Sequence, residues 1–133
     1  LDYADFVKTT DISNHDLQFY LDGMTEEHGE LIGVFKRCRR GDYGKEAKAA
    51  IEDSIRGIKW VINTFPEVRK AVQKELGDYG WYRTRFIQES GWTRELIDSI
   101  NQDKLTNRKE KGIIMGHGDE RENLIDSEGN EKQ

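Results

Sequence analysis

The stretch Ser13–Gly41, SNHDLQFYLDGMTEEHGELIGVFKRCRRG, decides the fold class. Its apolar residues Leu17, Tyr20, Leu21, Met24, Leu31, Val34 and Phe35 recur at mostly helical spacings, which lays one stripe along one face of a long helix. Ser13 with Asp16 three residues on approximates a capping box and marks the expected start. The stop is equally marked: the basic run Lys36–Arg40 suits a helix C-terminus, and Gly41 follows it.

Working outward, the next expected helix covers Lys45–Phe65, with Ile51, Ile55, Ile58 and Ile62 as its stripe. Pro66 ends it and fits the first position of a third helix, Pro66–Ser90, whose side of Val68, Val72, Leu76, Tyr79, Arg83 and Phe86 faces inward and which Gly91 closes. Thr93 is the expected N-cap of a fourth helix through about Lys109, carrying Leu96, Ile97, Ile100 and Leu105. Past Gly112 the periodicity stops, leaving a Gly116–Asp119 turn and a polar tail over 122–133. No run alternates with β-branched enrichment, and no Asn-Gly or Asp-Gly hairpin signal separates two such runs. The expectation is an all-α bundle of about four main helices, one domain over 1–121, completed by oligomerisation.

Composition narrows the function. Hydrophobic residues make up 35% of the 133, against about 45–50% in an average domain, so the core must come from narrow stripes or from partner chains. A net charge of −5 argues against duplex nucleic acid as a partner, because phosphate binding needs a concentrated positive field. The single cysteine, Cys38, excludes a disulfide framework and a multi-thiolate zinc site. No apolar run reaches the roughly 18 residues of a membrane span, and Leu1–Thr10 lacks a signal-peptide layout. A cytoplasmic chain without a membrane partner is expected; it opens on Leu1 rather than Met, which suggests a trimmed start.

The informative residues are acidic. At about 100° per residue, Glu27 falls roughly 60° from the centre of the Met24–Leu31–Phe35 stripe and Glu30 roughly 120°. On the third helix Glu75 flanks its own stripe, with Asp78 three residues on. Burying an unpaired carboxylate costs several kcal/mol, and like charges one helical turn apart repel. Both costs are offset if the two helices cross and the carboxylates share a hard divalent cation such as Mg²⁺, which takes carboxylates, water and substrate phosphate as ligands. Either pair taken alone also fits an ordinary solvated face.

Glu26-Glu27-His28-Gly29-Glu30-Leu31 together with Glu75-Leu76-Gly77-Asp78 resembles the paired motif of the MazG-type, all-α nucleoside triphosphate pyrophosphohydrolases, E-E-x-x-E on one helix and E-x-x-D on a later one. Trp81-Tyr82 sits where that family often has an aromatic pair, Asn101-Gln102-Asp103-Lys104-Leu105 with Arg108 looks like its N-x-x-K-L-x-x-R segment, and Gly116–Arg121 is similar to a G-x-G-D-x-R ending. The likeness covers about Leu17 to Arg121 and departs from the compact members by the long insertion between Glu30 and Glu75. It implies Mg²⁺-dependent hydrolysis of a nucleoside triphosphate to monophosphate and pyrophosphate, a nucleotide-pool house-cleaning reaction in which Mn²⁺ is a possible substitute metal. Glu27, Glu30, Glu75 and Asp78 are then the metal ligands. Glu27 and Glu26 are the catalytic carboxylates, with Glu26 open to three roles: ligand, support for a ligand, or water-orienting base. Asn101, Lys104, Arg108, Asp119, Arg121 and Trp81 are the expected substrate contacts, although Lys104 and Arg108 fit a solvated helix end equally well. A homodimer or dimer of dimers is expected from the aromatic cluster Tyr79, Trp81, Tyr82 and Phe86, the isoleucine stripe and the family's paired-chain bundles.

Two other readings stand beside this one: a phosphoribosyl-ATP pyrophosphohydrolase-like enzyme, and a non-catalytic helical dimerisation or regulatory module. The Lys36–Arg40 run is read as a helix terminus, His28 as solvent-facing, and Cys38 as a thiol whose basic neighbours lower its pKa without giving it a catalytic base.

Overall fold

A computed structural model describes residues 1–13, 15–53 and 55–114. Among them the chain is all-α, with six helices and no strand: α1 (Tyr3–Thr10), α2 (Leu17–Arg40), α3 (Lys45–Glu52), α4 (Gly57–Thr64), α5 (Pro66–Glu89) and α6 (Arg94–Glu110). They fall into two compact units, Leu1–Gly91 and Trp92–Gln133. No helix among the described residues is long and apolar enough to cross a membrane.

In the first unit α2 and α5 are the frame. They run in opposite directions, since Gly23 meets Tyr82 near one end while Val34 and Cys38 share a core with Val68 and Val72 near the other. The cap of α2 is Asp16 rather than Ser13: the Asp16 carboxylate accepts from the Phe19 N–H at 2.9 Å. Ser13 lies in the bend before it, where its N–H donates to Asp11. Gly41 ends α2 at φ +96°, a left-handed conformation that lets its N–H reach the Arg37 and Cys38 carbonyls.

Lys45–Phe65 is two helices, not one. The Asp53 carboxylate accepts from the Ile55 N–H at 3.0 Å, and Gly57 takes φ +70°, so the chain turns between α3 and α4. The turn sends Ile55 and Ile58 outward, 92% and 47% exposed, while Ala47, Ile51, Trp60, Val61 and Ile62 pack on the α2–α5 core. Leu76, expected inside, is also exposed, because the inward side of α5 at that level carries Glu75 and Tyr79. Cys38 is buried with its thiol against the Ala47 carbonyl, and burial pushes its pKa up, the reverse of the lowering expected from its basic neighbours.

Helix α1 gave no sign in the periodicity. Asp2 caps it, and Val7 is its one buried residue. It is tied to α5 by three long-range contacts: Trp81 Nε1 to Thr10 Oγ1 at 2.7 Å, Gln88 Nε2 to the Ala4 carbonyl at 2.8 Å, and Arg85 Nε to Asp11 Oδ2 at 2.8 Å just past the helix end. In the second unit, Thr93 caps α6 as expected, accepting from the Leu96 N–H at 3.2 Å.

Candidate metal centre

The α2–α5 crossing places Glu27 one turn after Gly23 and Asp78 one turn before Tyr82. One carboxylate oxygen each from Glu27, Glu75 and Asp78 come together, all within 4.8 Å of one another. Glu27 and Glu75 are half-buried and Asp78 is exposed, so the group sits at a rim with a protein floor and an open side.

The electrostatics are unbalanced. Burial pushes the Glu27 carboxyl above its usual range; the charge of Asp78, the contact with Glu75 and the charge of Glu26 push it further. The Tyr82 hydroxyl is raised too, first by burial and then by Glu27, Glu26 and Asp78. A carboxylate destabilised by neighbouring carboxylates is one that a divalent cation would stabilise. Oxygens sharing one Mg²⁺ at about 2.1 Å can stand no more than about 4.2 Å apart. Three carboxylate oxygens within 4.8 Å of one another are near enough for side-chain rotation to bring them onto one hard cation.

Glu30, the fourth expected ligand, stands outside this group. It is exposed and pairs with Arg37, Nη1 to Oε2, at 3.8 Å. Arg37 folds back along α2 over Gly33. Its contact with Tyr43 raises its hold on its proton despite partial burial, and Glu30 and Glu75 add to that. The sequence reading left Arg37 in a helix-terminal basic run; its spacing of seven from Glu30, two turns on one face, was the available signal. Glu26 is exposed beside the group, as its one-residue offset from Glu27 requires. His28 is exposed as expected.

Trp81, half-buried, makes packing contacts within the first unit. Its indole N–H is given to Thr10, and its ring lies against Tyr20 and Tyr82 at centroid distances of 6.3 and 5.0 Å. Asn101, Lys104 and Arg108 follow one another on one side of α6 in the second unit, respectively exposed, half-buried and buried. Asp119, Arg121 and the 122–133 tail lie outside the described residues.

The sequence reading missed a second charged group altogether. Arg85 is buried on α5, donating to Asp11, to the Tyr20 hydroxyl at 3.2 Å, to Gln88 at 2.9 Å and to Glu89 at 2.7 Å. The Tyr20 hydroxyl donates to the same Asp11 oxygen that Arg85 holds. Burial alone would raise Asp11, but its hydrogen bonds with Tyr20, Arg85 and the Ser13 N–H outweigh that and hold it below its usual range.

Fold and site together define an all-α protein with an acidic centre between two crossing helices. No family model matches the chain, and no solved structure matches it. It is similar to the Gene 37 protein of Mycobacterium phage L5, 36% identical over 105 residues that span 79% of this chain and 76% of that protein, and it belongs to the same family.

Proposed function

We propose that the acidic centre is a Mg²⁺ site and that the protein is a nucleoside triphosphate pyrophosphohydrolase of the MazG type, a nucleotide-pool hydrolase acting in the cytoplasm. The observation that carries this reading is the convergence of Glu27, Glu75 and Asp78 from two helices within one 4.8 Å group. A bound Mg²⁺ would supply neutralisation of phosphate oxygens and a water of lowered pKa. The residues of the chain do the rest. Glu27, Glu75 and Asp78 would hold the cation, with Asp78 the exposed member of the three. Glu26, exposed beside them, would serve as a ligand, as support for a ligand, or as the base that takes a proton from the attacking water. Arg37 pairs with Glu30 at the edge of the group and feels the charge of Glu75. Attack of water at the α phosphorus breaks the α–β anhydride and releases monophosphate and pyrophosphate. Asn101, Lys104, Arg108, Asp119 and Arg121 remain proposed substrate contacts, within one chain or across a homodimer or dimer of dimers.

The test is release of pyrophosphate from a panel of ribo- and deoxyribonucleoside triphosphates and phosphoribosyl-ATP, with Mg²⁺ and with EDTA. Pyrophosphate from at least one triphosphate, dependent on Mg²⁺, is expected. Release from phosphoribosyl-ATP alone would move the substrate assignment to that class. Orthophosphate only, or no release from any substrate, would overturn the reaction.

A further inference from the structure

The crossing that carries the carboxylates has one unusually close point. A Cβ built on Gly23 would lie 2.2, 2.3 and 2.6 Å from three carbons of the Tyr82 ring. Those atoms belong to a rigid ring at the root of its side chain, so no flexible end can swing away. Gly23 is itself buried, and the Tyr82 ring packs against Phe19 and Trp81 at centroid distances of 6.1 and 5.0 Å. Trp81 is in turn fixed to Thr10. Tyr82 is half-buried among these rings, and close-packed protein interiors transmit such strain rather than absorb it.

Position matters as much as closeness. Gly23 precedes Glu27 by four residues and Tyr82 follows Asp78 by four, so the contact lies one turn from the carboxylates on both helices and on the same faces. We infer that Gly23 and Tyr82 are positioning residues: their contact sets the α2–α5 separation that keeps Glu27 within reach of Glu75 and Asp78. The separation needed for a shared cation leaves little slack, because the three oxygens already span up to 4.8 Å against the about 4.2 Å that one Mg²⁺ shell accommodates. Nothing in the helix itself calls for glycine at 23, where alanine is the better helix former. The inference rests on the metal-site reading for its consequence, not for its geometry.

Two readouts separate these. Spin labels on cysteines replacing exposed Thr25 on α2 and Lys74 on α5, in a Cys38→Ala background, report the inter-helix distance without any metal. Mn²⁺ binding followed by electron paramagnetic resonance, in chains without labels, reports the centre. Gly23→Ala is expected to lengthen the inter-label distance and weaken Mn²⁺ binding at least ten-fold while helical content stays unchanged. Adding Tyr82→Leu, which frees the space the new methyl needs, should restore both toward wild type. An unchanged distance in Gly23→Ala overturns the inference, whatever the metal result. A longer distance with undiminished Mn²⁺ binding also overturns it, because the spacing then does not govern the site. If the wild type takes no Mn²⁺, the metal-site reading fails, and the distance pair alone decides whether the contact sets the spacing. Should Gly23→Ala not fold, Tyr82→Leu with Gly23 kept, which removes the ring that Gly23 meets, is expected to shorten the inter-label distance, and an unchanged distance overturns the inference.

Discussion

Two groups of charge lie along the same helix pair and are solved in opposite ways. Near the start of α2, Asp11, Tyr20, Arg85 and Glu89 form a closed network, with the Asp11 and Arg85 side chains 5% and 8% exposed and oppositely charged. Two turns along, Glu27, Glu75 and Asp78 share one sign, with Arg37 reaching only their edge through Glu30. The first group depresses its acid; the second raises one. The contrast teaches that burial of charge is not what marks a candidate site here. What marks it is burial without a built-in counter-charge, since a structural network supplies its own partner and a binding site leaves that to a ligand.

The comparison breaks most severely at Arg85. Arg85→Ala leaves Asp11 buried without its cation and unties α1 from α5, which should cost about 3–5 kcal/mol in unfolding free energy, read by urea denaturation. A loss under about 1 kcal/mol would mean that the closed network is not structural.

In the open group the signs reverse. Glu27→Gln and Asp78→Asn should each lower pyrophosphate release about 100-fold or more, by the scale on which metal sites depend on their ligands and supports. Neither should reduce stability measured in EDTA, and Glu27→Gln should raise it, because it removes a charge that its neighbours oppose. Glu30→Gln sharpens the boundary of the site. Lost activity would show that Glu30 leaves Arg37 when the cation binds; retained activity would confine the ligands to three.

The helix frame was legible in the sequence where local chemistry writes it. Gly41, Pro66, Gly91 and Thr93 stand at helix ends where steric and hydrogen-bonding rules put them. The Lys45–Phe65 break was legible in principle, through Asp53 and Gly57, but an isoleucine spacing that runs on through the turn hid it. Helix α1 is too short for periodicity and buries only Val7, so its reality lies in contacts over seventy residues away in the chain. Arg85 was invisible for the same reason: a charged residue reads as surface until Asp11 is brought beside it. The acidic centre was the opposite case, since Glu27, Glu75 and Asp78 were out of place on their own helices. Glu30 was read with them from the acidic pairing as well as the motif, at twice Glu27's angle from the stripe, and it pairs with Arg37.

Acid should separate the two groups without mutation. Asp11 is held below its usual pKa, so its contribution is complete above the unfolded value and is lost as pH falls through the lower folded one. Glu27 is held above its usual value near 4.5, so the folded chain binds that proton more tightly than the unfolded one, and stability rises as pH falls through the raised pKa. In EDTA, stability should therefore first climb on mild acidification and then collapse at lower pH. Glu27→Gln should abolish the climb and leave the collapse; a climb that persists in this variant would place its origin elsewhere.

A smaller effect is expected at Trp81. Trp81→Phe removes the bond to Thr10 and keeps most of the packing, for a loss of about 1 kcal/mol, with pyrophosphate release changed less than three-fold. A large fall in activity at full stability would show Trp81 acting on substrate.

Whether the acidic centre is a cation site is tested most directly by thermal unfolding at neutral pH in EDTA and in saturating Mg²⁺, for wild type and Glu27→Gln. A ligand at 100 times its Kd stabilises the folded state by about 2.7 kcal/mol, several degrees for a chain of this size. The wild-type midpoint should rise by that amount while Glu27→Gln, already more stable in EDTA, gains little. No rise in wild type, or an equal rise in both proteins, would contradict a metal held by Glu27, Glu75 and Asp78.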